Sequence, residues 1–259
     1  MLKIYKSQII YIKKESSDNL KFNELKEIEQ NINNINKLVC IAAKNSNRNI
    51  NDIKIIAVTK TIDLDRIKFL ITKEMFLLGE NKVQEILEKY DKINNFNNHI
   101  KWHFIGHLQT NKIKYIIDKV CMIHSVDSIK VAEEIDKRAK KMNTIIDILI
   151  QINVAKENSK FGIMPEQCED FFIKISKFNN INVKGLMTVA PFTNNPESNR
   201  IYFRKLKKIM IDINNKNINN INMSELSMGM TNDFHIAIEE GATIIRIGTG
   251  LFGNRIYNN

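Results

Sequence analysis

IKIIAVTKTIDLDRIKFLIT, residues 53–72, contains the repeating unit of this chain in one line. KIIAV is a near-continuous apolar run, the pattern of a strand buried on both faces of a sheet. A short polar turn follows, and DRIKFLIT then has the pattern of a helix. The same alternation recurs through MFLLG, WHFIG, CMIHSV, DILIQINV, VKGLMTV, ELSMG and TIIRIG. Between these runs lie the helix-like stretches KVQEILEKYDKI, QTNKIKYIIDKV, SIKVAEEIDKRAKKM, PEQCEDFFIKISKF, SNRIYFRKLKKIMIDI and DFHIAIEEG. Asp127 and Ser128 before SIKVAEEI, Pro165 in a first turn and Gly241 after AIEE are helix start and stop signals. Eight such units in a chain of 259 residues predict an α/β fold, the (β/α)8 or TIM barrel, in a single domain spanning 1–259. A doubly wound open sheet is the competing arrangement. FNELKEIEQNINNINKLVCIAAKN predicts a helix ahead of the first strand, covering the side where a final helix would otherwise pack, and residues 1–20 read as an N-terminal extension.

Composition narrows the function. Cys40, Cys121 and Cys168 are far apart, with no CxxC or Cys/His ligand spacing, which points to reduced thiols in a cytoplasmic setting rather than to disulfides or zinc. The amino-terminal stretch has neither a long apolar core nor a small-residue cleavage site, so neither a secretory signal nor a membrane partner is expected. A net charge of +10 would suit nucleic acid, yet the lysines are spread along the chain among Asn and Ile. No RNA-binding motif or Arg-rich run accompanies them, so nucleic acid is not an expected partner.

Barrel active sites form at the C-terminal ends of the strands. The residues following each run are therefore the candidates: Lys60, Glu80 and Asn81, His107, His124 and Ser125, Asn153, Met187 and Thr188, Ser227 and Gly229, then Arg246, Gly248 and Thr249. A desolvated lysine loses stability as a cation and its neutral amine attacks carbonyls, although Lys60 taken alone better fits a side chain reaching out to solvent. ELSMGMTND and IIRIGTGLFGNR place Ser227, Gly229, Gly248, Thr249 and Gly250 after the last two strands, where barrels often hold phosphate. His103 and His107 straddle a strand end without acidic companions and read as structural, as does Trp102.

AVTKT, LGENKVQE, WHFIGHLQTNK, QINVAKENSKFGI, GLMTVAP and LSMGMTNDFHIAIEEGATIIRIGTGLFGNR, in this order and relative spacing, resemble the pyridoxal phosphate homeostasis proteins from about Ile53 to Tyr257. The resemblance implies the barrel of the alanine racemase N-terminal domain, the fold type III of pyridoxal 5'-phosphate (PLP) proteins, without the racemase's C-terminal β domain. It implies PLP as cofactor, held as a Schiff base on Lys60. Ser227, Gly229, Gly248 and Thr249 fall on the phosphate segments, Arg246 matches the arginine facing the pyridine nitrogen, and Asn81 matches a pocket asparagine. A guanidinium there disfavours protonation of the ring nitrogen and weakens PLP as an electron sink.

The family is regarded as non-catalytic, so the expected function is intracellular PLP homeostasis as a carrier or regulator without efficient turnover. PLP-dependent apo-enzymes would be its partners, and the protein itself a monomer or weak homodimer. The alternative is a PLP-dependent amino-acid racemase-like enzyme using the same lysine. Against it, such racemases take a catalytic tyrosine from a second domain, and Tyr257 lies too near the chain end for that role. Two positions depart from the family: Lys82 stands where many relatives carry tyrosine, and His107 where bacterial members usually carry proline.

Overall fold

A computed structural model describes the backbone of residues 2–253 and the side chains of residues 22–253. Eight parallel strands close in sequence order into a barrel. They are β1 (Lys54–Val58), β2 (Leu77–Glu80), β3 (Lys101–Phe104), β4 (Met122–Val126), β5 (Ile146–Gln151), β6 (Ile181–Met187), β7 (Ile221–Ser227) and β8 (Ile244–Ile247). The closing pair joins β1 to β8, with Ile56 opposite Arg246. The barrel, not the open sheet, is therefore the fold. Tyr257 lies outside the described residues, as do the side chains of residues 1–20.

The helices are α1 (Leu2–Asn45), α2 (Leu64–Thr72), α3 (Val83–Asn94), α4 (Ile129–Lys141), α5 (Cys168–Ile175), α6 (Arg200–Asn214), α7 (Phe234–Glu239) and α8 (Thr249–Phe252). Asp63 caps α2 by accepting the Asp65 and Arg66 N–H groups, and Ser128 caps α4 through Val131 N–H. QTNKIKYIIDKV departs from the expected α-helix. Thr110–Tyr115 winds as a 310 helix whose bonds span three residues, such as Lys112 N–H to Gln109 O at 3.0 Å, and Gln109 gives it no side-chain cap.

In the described part of α1, Ile28, Ile32, Ile35, Val39 and Ala42 recur every three or four residues and are buried, which is one face of a helix. That face covers α7 and α8, as the sequence led us to expect. Asn31 Nδ2 donates to Leu251 O at 3.1 Å, and Arg48 Nη1 donates to Ile238 O and Ala242 O at 2.8 and 2.7 Å, satisfying carbonyls left open where α7 ends. No helix among the described residues is long and apolar enough to cross a membrane.

Side chains alternate across each strand. Between strands and helices runs the main apolar core, including Trp102, Phe172, Phe203 and Leu226. Trp102 also donates its indole N–H to Asn94 Oδ1 at 2.9 Å. Inside the barrel a smaller cluster joins Ile56, Met122, Leu149, Met187 and Ile244.

Candidate functional site

Ile56 belongs to the inner cluster, and strand alternation puts Val58 and then Lys60 on the same inward side, one step higher each time. On β8 the same count runs from Ile244 through Arg246 to Gly248. Together these positions open into a cavity of about 820 Å³ at the C-terminal mouth of the barrel, lined among others by Val58, Lys60, Asn81, Ile105, Arg246, Gly248 and Thr249. Five of the seven predicted site residues thus meet in one place. Three cations, Lys60, Lys160 and Arg246, and two carboxylates, Glu157 and Asp233, line it, with Lys160 paired to Glu157 at 3.1 Å. A second cavity, of about 690 Å³, lies outside the barrel by Glu24, Asp63, Arg66 and Lys92 and takes in none of the predicted residues.

Lys60 is held from behind by a buried ion network. The Lys89 amine donates to Thr59 O at 2.7 Å, to Glu80 Oε1 at 2.7 Å and to Glu85 Oε2 at 2.8 Å. The Thr59 hydroxyl donates to Glu80 Oε1 at 2.7 Å, and Thr61 N–H to Glu85 Oε2 at 2.6 Å. Thr61 has a φ of 63°, a conformation unusual for a β-branched residue, and that last bond helps to hold it. Residues 59 to 61 are therefore gripped on both sides of Lys60. Burial pushes the Glu80 carboxyl above its ordinary value, although Lys89 and Thr59 oppose the shift.

Asn81 is placed by close contact of backbones. A Cβ on Gly106 would lie 2.1 Å from Asn81 O, so only glycine lets the loop after β3 lie against the loop after β2. The Ser125 hydroxyl on β4 donates to Gly106 O and fixes that contact.

Ser227 and Gly229 do not line the cavity. Gly229 has a φ of 88° and sits tight against α7, where a Cβ would lie 2.5 Å from Ala237 Cβ. Ser227 is fully buried below the cavity floor: Arg246 Nη1 donates to its Oγ at 2.6 Å, and His124 Nδ1 lies 3.0 Å from the same oxygen. Alternation along β7 turns Ser227 inward, but one level too low to reach a ligand. Arg246 Nη2 also donates to Thr188 O at 2.8 Å. Burial lowers the Arg246 guanidinium to about 10, which leaves it charged at neutral pH.

The hydroxyl that does reach the cavity from this loop is Thr231, which sequence reasoning missed. Its Oγ1 lies 3.2 Å from Thr249 Oγ1 and accepts Gly250 N–H at 3.0 Å, joining the loops after β7 and β8. The available signal was its place four residues past Ser227, beyond the strand end. His107 stacks on Phe161 with ring centroids 3.7 Å apart, its Nδ1 3.3 Å from Asp127 Oδ2, and Lys82 precedes α3 as an exposed residue without a side-chain cap bond. No cluster of three or more metal-ligating side chains occurs among the described residues.

The alanine racemase N-terminal domain family matches residues 24–255. A protein of Aquifex aeolicus named pyridoxal phosphate homeostasis protein is 44% identical over 216 residues, covering 83% of this chain and 93% of its own length. The chain belongs to the pyridoxal phosphate homeostasis protein family. Among solved structures, PipY of Synechococcus elongatus PCC7942 with PLP bound superposes with a TM-score of 0.73 at 28% identity, covering 83% of this chain and all of PipY. Alanine racemase of Clostridium difficile 630 shares the fold, with a TM-score of 0.68 at 17% identity. It covers 90% of this chain, which spans 58% of the racemase. The homeostasis family thus shares its barrel with the racemases.

The cavity suits the group that family members are named for. It combines an amine, a buried guanidinium at the floor, and a hydroxyl and glycine cluster on one wall. An amine is a nucleophile toward an aldehyde, and guanidinium, hydroxyl and backbone N–H groups are hydrogen-bond donors of the kind a ring nitrogen and a phosphate accept.

Proposed function

We propose that this protein binds PLP as a Schiff base on Lys60 and serves PLP homeostasis in the cytoplasm as a carrier or regulator that supplies PLP-dependent apo-enzymes. The observation that carries this reading is the single cavity shared by Lys60, Arg246, Gly248, Thr249 and Thr231. Lys60 would hold PLP through a carbon–nitrogen double bond to its side-chain nitrogen, the aldehyde oxygen leaving with the two amine protons as water. Val58 and Ile105 add apolar surface to the lining of the same cavity. Thr231, Thr249 and the Gly248 to Gly250 backbone would hold the phosphate, and Asn81 would lie on the side of the ring.

When bound, PLP supplies an electron sink, and Arg246 limits it. A guanidinium donates but cannot accept, so it leaves the ring nitrogen unprotonated. That disfavours decarboxylase and aminotransferase chemistry, which lean on a strong electron sink.

The test is the visible absorption spectrum after incubation with PLP, followed by borohydride reduction and peptide mapping. The expected result is a new band trapped on Lys60 and lost in Lys60→Ala. Label scattered over surface lysines, with no band, overturns the reading.

A further inference from the structure

The interior of a TM barrel is ordinarily filled by layers of branched apolar side chains. Here a line of polar groups crosses it from wall to wall. It starts at Arg246 on β8, passes Ser227 on β7 and His124 on β4, reaches His103 on β3, and ends at Cys121 beside the N-terminal end of β4. The contacts are Arg246 Nη1 to Ser227 Oγ at 2.6 Å, Ser227 Oγ to His124 Nδ1 at 3.0 Å, His124 Nε2 to His103 Nδ1 at 3.0 Å, and His103 Nε2 to Cys121 Sγ at 3.4 Å. The Cys121 thiol donates to Trp102 O at 3.2 Å. Ser227 and His124 are fully buried, and His103 and Arg246 nearly so.

Hydrogen-bonding capacity orders the protons along this line. Arg246 can only donate, so the Ser227 oxygen is its acceptor. Among the described hydrogen bonds the Ser227 side chain has His124 as its one other partner, so its own proton goes to His124 Nδ1. A neutral His124 then carries its hydrogen on Nε2 and donates to His103 Nδ1. His103 in turn carries its hydrogen on Nε2 and donates to the Cys121 sulfur, whose proton goes to Trp102 O. The reverse order would leave the Ser227 hydroxyl proton buried without an acceptor, which is costly. One hydrogen per contact, all pointing away from the cavity, satisfies every group.

We propose that His124 and His103 are positioning residues for Arg246, forming a one-way hydrogen-bond column that holds the guanidinium against the cavity floor as a fixed donor toward the cofactor ring nitrogen. The consequence for the ring rests on the PLP reading above; the column itself does not. Protonating His124 would force the Ser227 hydroxyl to turn and would set a second cation beside Arg246. Nor can the column deliver a proton to the ring, because its upper end accepts none. Lys54, Lys101 and Glu225 surround the lower end and bear on His103, while Arg246, His103 and Lys54 bear on His124. Burial, first, and then these cations, which outnumber the carboxylate, favour neutral rings.

The experiment has two parts. Long-range 15N–1H NMR of the histidine side chains, first without PLP, reads the tautomers directly. Expected are His124 and His103 both neutral at pH 7, both protonated at Nε2. A proton on Nδ1 of either ring, or a doubly protonated ring, overturns the column. Next, PLP affinity and the bound absorption band are compared in His124→Leu and His124→Gln, with circular dichroism confirming that each folds. Gln keeps an acceptor for Ser227 and a donor for His103, and Leu keeps neither. The expected loss of affinity is about tenfold for Leu, the scale of one buried hydrogen bond, with a displaced band, and about threefold or less for Gln. A folded Leu variant indistinguishable from wild type in both readouts overturns the positioning role. Wild-type protein that takes up no PLP while showing the expected tautomers would refute the PLP reading and leave the column standing.

Discussion

Replacing Lys89 with Met removes an ammonium group while keeping most of the stem that carries it. In the folded protein that group ties together Thr59 O, Glu80 Oε1 and Glu85 Oε2, all within 2.8 Å. Glu80 is fully buried, and its Oε2 has no hydrogen-bond partner among the described residues even with Lys89 present. Removing one member of a buried ion pair typically costs about 3–5 kcal/mol, because the other charge is left uncompensated. Glu85 keeps Thr61 N–H and partial exposure, so we place the loss at the lower end, about 3 kcal/mol. For a protein of this size that lowers the melting temperature by roughly 6–12 °C.

The loss depends on pH. Burial already raises the Glu80 carboxyl, and Lys89→Met raises it further. The native state then binds a proton that the unfolded state does not, so stability falls as pH rises above the ordinary glutamate value toward the raised one. The deficit is fullest at neutral pH and shrinks on acidification. Urea denaturation at several pH values measures this, alongside the double variant Glu80→Gln with Lys89→Met, which is expected to recover more than half of the loss. A deficit under 1 kcal/mol, or a double variant no better than the single one, would refute the reasoning. Because the network grips residues 59 to 61, PLP uptake on Lys60 is expected to weaken together with stability.

Further predictions concern the same machinery. His103 is lowered to about 4 by burial, with Lys54 and Lys101 adding to the effect, and His124 is lowered too, by burial and by His103 and Arg246. The unfolded chain binds these protons first, so stability is complete above about pH 6.5 and falls as pH drops toward 4, by about 3 kcal/mol from His103 alone. His103→Gln should flatten that slope in pH-dependent urea unfolding, and an unchanged slope would count against the assignment. Gly106→Ala puts a Cβ where Asn81 O stands, so calorimetry should show a loss of at least about 2 kcal/mol and titration a weaker PLP complex. Wild-type stability in that variant would mean the two loops are not locked. Thr231→Val should raise the dissociation constant for PLP roughly tenfold while leaving pyridoxal, which has no phosphate, within about twofold. Equal effects on both ligands would remove Thr231 from the phosphate site.

The repeating pattern of strand, turn and helix was legible in the sequence because fully buried parallel strands demand unbroken apolar runs, and KIIAV and DILIQINV supply them. Lys60, Asn81, Arg246, Gly248 and Thr249 were legible for the same reason: each follows or closes such a run, and barrel topology brings strand ends to one rim. Closure, register and depth are tertiary properties. The register that sets Ile56 opposite Arg246, across a seam nearly two hundred residues long in sequence, fixes how far up the barrel each inward residue sits. Depth separates Ser227, turned toward the floor beneath Arg246, from Thr231 at the wall of the cavity, although both are hydroxyls of one short segment. It also brings His103, which read as a structural histidine, and His124, which read as a rim candidate, into line with Arg246 from the opposite wall. A linear pattern records which way a side chain points within its strand. Which residue it meets across the barrel depends on the stagger of eight strands at once, and only the closed structure sets that.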